Sequence, residues 1–264
     1  MHARVGPDLI NRHLNTPLLR RAWEVIEGDE EVQALVKMSN IMAVGRLMYN
    51  DHGPVHSRIV SGSALELFWR LVDVGVQPTT LRDGTASSIE EAAIVVLYGA
   101  YLHDIGNAVH RVNHELIGAI MAAPILDRLL AEVLHDEPNH RRYLLRQEVM
   151  HAIYSTEMHT KALTMEAGVV KIADGTDMAE GRARIPYSKG KADMHAVSAM
   201  SIKEVIIKEG DGRPVSIEIS MKDRAGIFQY EAVLRPKIVT SGISEYFEVW
   251  FHVDGERRRA YPEE

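Results

Sequence analysis

The chain has 264 residues, 46% hydrophobic and 25% charged, a globular balance that excludes a disordered chain and leaves core enough for one large domain or a medium and a small one. Its net charge of -7 gives no electrostatic reason to bind a nucleic-acid polymer, and no window approaches the ~18 uninterrupted apolar residues of a membrane helix. Cysteine is absent, which excludes disulfides and thiolate metal sites, and the opening MHARVGPDLINRH lacks the apolar core of a secretory signal, so a cytoplasmic location is expected.

Residues 1–50 read as helical. TPLLRRAWEVIEG offers Thr16 as a cap, Pro17 at the first helical position and Gly28 as a stop. Val32, Leu35, Val36, Ile41 and Val44 then recur at roughly helical spacing. A long amphipathic helix begins at Pro54, and PTTLRDGTASS is a polar loop. Ser88 followed by Glu91 is a capping-box pattern that opens IEEAAIVVLYGAYLHD. HELIGAIMAAPILDRLLAEVL, NHRRYLLRQEVMHAIYS and ALTMEAGVVKIADGTDMAEG continue the helical texture, and up to about residue 180 no strand alternation stands out. After the basic, loop-like GRARIPYSKGKAD the texture changes. KEVIIKEGDGRPVSIEISMK reads as two strands about a Gly-rich turn, AGIFQYEAVLRPKI as a helix, and EYFEVWFHV as a strand. The expected fold is therefore mainly α: a helical domain over residues 1–190, then a small α+β unit of ββαβ order over residues 195–264.

The 13 histidines are the one compositional excess. His103 and Asp104 close a nearly all-apolar run, where a carboxylate is costly unless it is paired or binds a metal. Adjacent helical residues diverge by ~100°, so this doublet cannot chelate as an i,i+4 pair does, and other ligands must come from elsewhere. Asp174 also follows an apolar run directly, and His56 sits near the start of the helix that begins at Pro54. His110 and His114 are four apart, and His151 follows an apolar-periodic segment. Imidazole and carboxylate together suit divalent Mn, Fe, Ni, Co or Zn. His52, just before Gly53-Pro54, reads as part of a helix entry rather than as a ligand.

His56, His103-Asp104 and Asp174 stand in the order H…HD…D. With HDIGN, NHELIGA and KIADGTDM around them, they resemble the HD-domain superfamily of metal-dependent phosphohydrolases over roughly residues 50–180. The resemblance implies that His56, His103, Asp104 and Asp174 hold one divalent ion, and that His114 and His151 hold a second, with Asp104 bridging. It implies a small phosphorylated substrate, possibly a nucleotide, cleaved by metal-activated water. The sequence departs from a common form of the family at Asn107, where many members carry Lys or Arg.

Such chemistry needs cations to neutralise charge developing on phosphorus. Lys161, Arg182, Arg184, Lys189 and Arg111 are the candidates, and His110 is a candidate proton donor or phosphate contact. The same ligands would serve a di-iron oxygenase, and a ligand-binding or regulatory module with a bound metal is a third reading. Residues 246–253 place aromatics on both faces of a strand, which suggests that a second copy of the chain covers the outer face in a homo-oligomer.

Overall fold

A computed structural model describes residues 2–179 and 194–263, with the side chains of residues 195 and 196 excepted. The sequence-predicted Arg182, Arg184 and Lys189 lie outside the described residues. After a short strand β1 (His2–Arg4), the helical part comprises α1 (Pro17–Gly28), α2 (Glu30–Asn40), α3 (Pro54–Asp73), the single turn α4 (Thr79–Arg82), α5 (Ile89–Leu102), α6 (His114–Val133), α7 (Asn139–Tyr154) and α8 (Met165–Thr176).

Helix starts follow local chemistry. Thr16 accepts from the Leu19 backbone N–H, Asp29 from Val32, Ser88 from Glu91 and Thr164 from Ala167. The expected capping box at Ser88 is displaced by one residue, because the Glu91 carboxylate accepts from the Ser87 N–H instead. Helix α5 is the axis of the domain. Every residue from Glu91 to Leu102 is buried, and α1, α3, α7 and α8 pack around it. That explains its lack of amphipathic periodicity, since a helix enclosed on all sides has no polar face.

The second unit follows with α9 (Met194–Met200), β2 (Ile202–Glu209) and β3 (Val215–Met221). A continuous helical stretch comes next, formed by α10 (Ile227–Gln229), a π turn (Tyr230–Leu234) and α11 (Arg235–Thr240), and then β4 (Phe247–Val253) and β5 (Glu256–Tyr261). The sheet order is β1-β2-β3-β4-β5. All pairings are antiparallel except β3 with β4, which the helical stretch connects as a crossover. Val205, Ile207, Ile217, Ile219, Val249 and Phe251 are buried with Tyr230, Leu234 and Ile238 in one continuous core.

Two differences from the sequence reading stand out. Residues 2–4, read as helical, form a strand that pairs Ala3 with Ile207, and with β5 it extends the three strands of the expected ββαβ unit to five. The outer face of β4 is also covered from within the chain. The Arg257 guanidinium lies 3.7 Å from the Trp250 ring centroid, and Glu248 accepts the backbone N–H groups of Asp211 and Gly212.

Candidate metal centre

The ends of separate helices converge beside the helical stretch of the second unit. His56 comes from the first turn of α3, His103 and Asp104 from just past α5, and Asp174 from the last turn of α8. The Nε2 atoms of His56 and His103 are 3.2 Å apart. His56 Nε2 lies 3.4 Å from Asp104 Oδ2 and 3.3 Å from Asp174 Oδ1, and His103 Nε2 lies 3.4 and 3.5 Å from the same two oxygens.

The hydrogen bonds behind these rings settle their tautomers. His103 Nδ1 is 2.8 Å from the Ala100 carbonyl, which can only accept, and His56 Nδ1 is 2.6 Å from Asp177 Oδ2. In each neutral ring Nδ1 therefore donates and Nε2 presents a lone pair. Two such lone pairs facing two carboxylate oxygens form a buried set of acceptors that a cation satisfies. Donors about 2.1 Å from a common ion stand about 3.0 Å apart in octahedral and about 3.4 Å apart in tetrahedral geometry, which matches the observed separations. The donor chemistry thus suits a divalent transition ion, which His56, His103, Asp104 and Asp174 could hold.

His52 joins the cluster from the loop before α3, with Nδ1 2.5 Å from Asp104 Oδ2. This differs from its sequence reading as a simple helix entry. The loop is shaped by Gly53: a Cβ there would meet the Asn40 side chain at 2.8 Å, and Asn40 accepts the His52 N–H. His114, the first residue of α6, places Nε2 3.4 Å from Asp104 Oδ1. Asn107 donates to that same oxygen at 2.8 Å, so it holds Asp104 directly. Arg111 Nη1 lies 2.9 Å from His114 Nε2, and Arg111 donates to Asn107 Oδ1 at 3.2 Å.

In the metal-free site burial alone would raise the Asp104 carboxyl, but His52 and His103 in their protonated forms and hydrogen bonds from His114 and His52 hold it well below the usual carboxylate range. Asp174 is likewise pushed up by burial and brought well down by Lys237 first, then by His103 and His56. Burial lowers His114, but its bonds to Asp104 and Glu115 outweigh that and raise it.

Other expected residues lie elsewhere. His151 is not brought to Asp104: its Nε2 accepts the Leu163 N–H at 3.1 Å, Ser155 Oγ is 3.4 Å from its ring, and burial pushes it down toward the neutral form. His110 sits in an exposed turn, where its Nδ1 accepts the Val112 N–H. Lys161 lines a separate cleft with Arg82, Thr164 and Glu245. The sequence reading missed Asp177, three residues past Asp174, and Lys237. Lys237 donates to Asp174 Oδ2 and, at 3.2 Å, to the Thr156 carbonyl.

A cavity of about 370 Å³ opens onto this cluster. His52, Asp104, His114, Asp174 and Asp177 form its floor, Arg111 and Lys237 bring positive charge, and Tyr49, Met158, Gln229, Ala232 and Val233 supply walls. Ala232 and Val233 lie on the π turn of the second unit, a helical irregularity frequent at functional sites.

A mainly helical fold that gathers histidine and aspartate side chains at its helix ends, in groups that could hold a metal ion, defines the class of candidate metal-binding proteins. A family model described as HD domain matches residues 56–179. The chain is also 43% identical over 255 residues to the Methanocaldococcus jannaschii protein named "Uncharacterized protein MJ1020", covering 96% of this chain and 97% of that one. No solved structure matches the chain. The chain belongs to the HD-domain superfamily, whose members are generally metal-dependent hydrolases. Among the described residues, no helix is long and apolar enough to cross a membrane.

Proposed function

We propose that the protein is a metal-dependent phosphohydrolase that cleaves a small phosphate ester. The observation that carries this reading is the convergence of four acceptors, His56, His103, Asp104 and Asp174, two of which, Asp104 and Asp174, line a cavity together with Arg111 and Lys237. When bound, a divalent ion supplies a water acidic enough to attack at neutral pH. The chain's own residues do the rest. Asp177 and the Ala100 carbonyl fix the two imidazoles in the binding tautomer. Asn107 and His52 orient Asp104. Arg111 offers a guanidinium to phosphoryl oxygens, on which negative charge grows in the transition state. The walls from the second unit shield the reacting group from bulk water.

The test is a phosphate-release screen over nucleotides, sugar phosphates and cyclic nucleotides with Mn2+, Co2+ or Ni2+, run beside Asp104→Ala. The expected result is release by the parent, with both bound metal and activity lost in the variant. Unchanged metal content and release in Asp104→Ala, or no release from any ester by the metal-loaded parent, would overturn the proposal.

A further inference from the structure

We infer that Lys237, carried into the site by the second unit, is a positioning residue for Asp174 that sets the affinity of the metal centre. The inference rests on the cluster being a metal site, and not on which ester is cleaved. The Asp174 carboxylate is divided between two tasks: Oδ2 receives the Lys237 ammonium, while Oδ1 faces the Nε2 atoms of His56 and His103. A carboxylate held by one oxygen offers the other in a fixed direction, which is how residues behind a ligand tune a metal site. Lys237 is buried, and its ammonium lies against Asp174 Oδ2 at the edge of the cluster.

Its own position is over-determined. The Thr156 carbonyl takes a second proton of its ammonium. Three residues on, Thr240 Oγ1 donates to the Met158 carbonyl, and the Thr240 carbonyl accepts the Ala162 N–H at 2.9 Å. Close approach of α8 completes the clamp, since a Cβ at Gly175 would lie 3.2 Å from Lys237 Cδ and 3.0 Å from Leu234 Cδ1. The second unit is thereby tied to the ligand helix and to the loop after α7.

The experiment is calorimetric titration of the metal-free full-length protein with Mn2+, with folding checked by circular dichroism. Lys237→Met is expected to weaken Mn2+ binding about 10–100-fold, and Lys237→Arg, which keeps the charge, to restore most of it. Lys171→Met is the control. Lys171 is buried nearby and donates to the Glu157 and Thr160 carbonyls of the same loop, but does not hold Asp174. It is expected to leave affinity within about twofold. Affinity unchanged in a folded Lys237→Met, or weakened equally by Lys171→Met, would overturn the inference. Should Lys237→Met fail to fold, Lys237→Gln is compared with Lys237→Arg, and equal affinities overturn it. A parent that binds Mn2+ but releases no phosphate would sink the phosphohydrolase reading and leave this one standing. A parent that binds no divalent ion would remove the metal centre itself.

Discussion

Asp177 faces the back of His56, and its effect is to decide which imidazole nitrogen carries the proton. The 2.6 Å contact from His56 Nδ1 to its carboxylate leaves Nε2 as the acceptor that faces His103, Asp104 and Asp174. Without it, the neutral ring is free to place its proton on Nε2 and close that direction. Asp177→Ala is therefore expected to weaken divalent-metal binding about 10–100-fold while the fold persists, as a competition titration against a fluorescent chelator would read. Wild-type affinity in that variant would show that the tautomer is fixed by something else. Residues of this kind are the hardest to find in a sequence. His56, His103, Asp104 and Asp174 announce themselves because each is a metal-ligating type at the margin of an apolar run. His52 sits in a short loop whose path depends on Gly53 packing against Asn40, and Lys237 lies in a different unit. Neither position has a local pattern that distinguishes it from a solvated side chain. His151 misled for the opposite reason: it follows an apolar-periodic helix, yet the end of that helix is aimed at the Leu163 loop.

Between α5 and α6, the turn Ile105–Ala108 carries the registration of the site. The backbone of Gly106 lies against the first turn of α6, where a Cβ would stand 2.0 Å from the His114 carbonyl and 2.6 Å from the Gly118 nitrogen. Both obstacles are backbone, so no side-chain movement relieves them. This approach is what lets His114 stand 3.4 Å from Asp104 Oδ1 although ten residues separate them. Asn113 reverses the chain before α6 with φ 60°, a left-handed conformation that asparagine tolerates better than most residues. Gly106→Ala must push α6 away from α5, and overpacking of this kind costs about 1–3 kcal/mol. Equilibrium urea unfolding should show the loss as a lower midpoint at an unchanged slope. A midpoint equal to the parent's would mean that the two elements are not in the contact described. The helix starts around this turn were legible because caps are local chemistry. The spacing between α5 and α6 was not, because a close approach leaves only a glycine as its trace.

On the scale of the whole molecule, the helical domain and the β2–β3–helix–β4 order could be read from periodicity, but the first and last strands could not. β1 is three residues long, and its pairing partners Ile206 to Lys208 are some 200 positions away, so nothing local marks it. β5 reads ERRRAY, whose charged residues are mostly exposed and whose Arg257 covers Trp250; an edge strand guarded by charge does not look like a core strand. These elements bind the two units together. The Val5 N–H meets the Val205 carbonyl at 2.9 Å, Ala162 meets Thr240, and Lys237 meets Asp174. The protein is accordingly expected to unfold in one cooperative transition rather than two. The metal and the pH should both act on that single transition. Chelation removes a ligand specific to the folded state; if the ion stands about 100-fold above its Kd, the loss is about 2.7 kcal/mol, or about 5–10 °C for a chain of this size. In the chelated protein, Asp104, Asp174 and Glu66 all have carboxyls held below their ordinary values, each raised by burial and brought down further by its charged and hydrogen-bonding partners. A group depressed in the fold stabilises it fully above its unfolded pKa, about 4 for a carboxyl, and loses that contribution as pH falls through the lower folded value. The melting temperature of the chelated protein should therefore fall as pH drops below about 4 because of these groups. Calorimetry between pH 3 and 7, with and without chelator, reads all three expectations. Two resolved transitions, only one of which moves with chelator, would show that the units fold independently and that the clamp between Asp174 and Lys237 contributes little to their union.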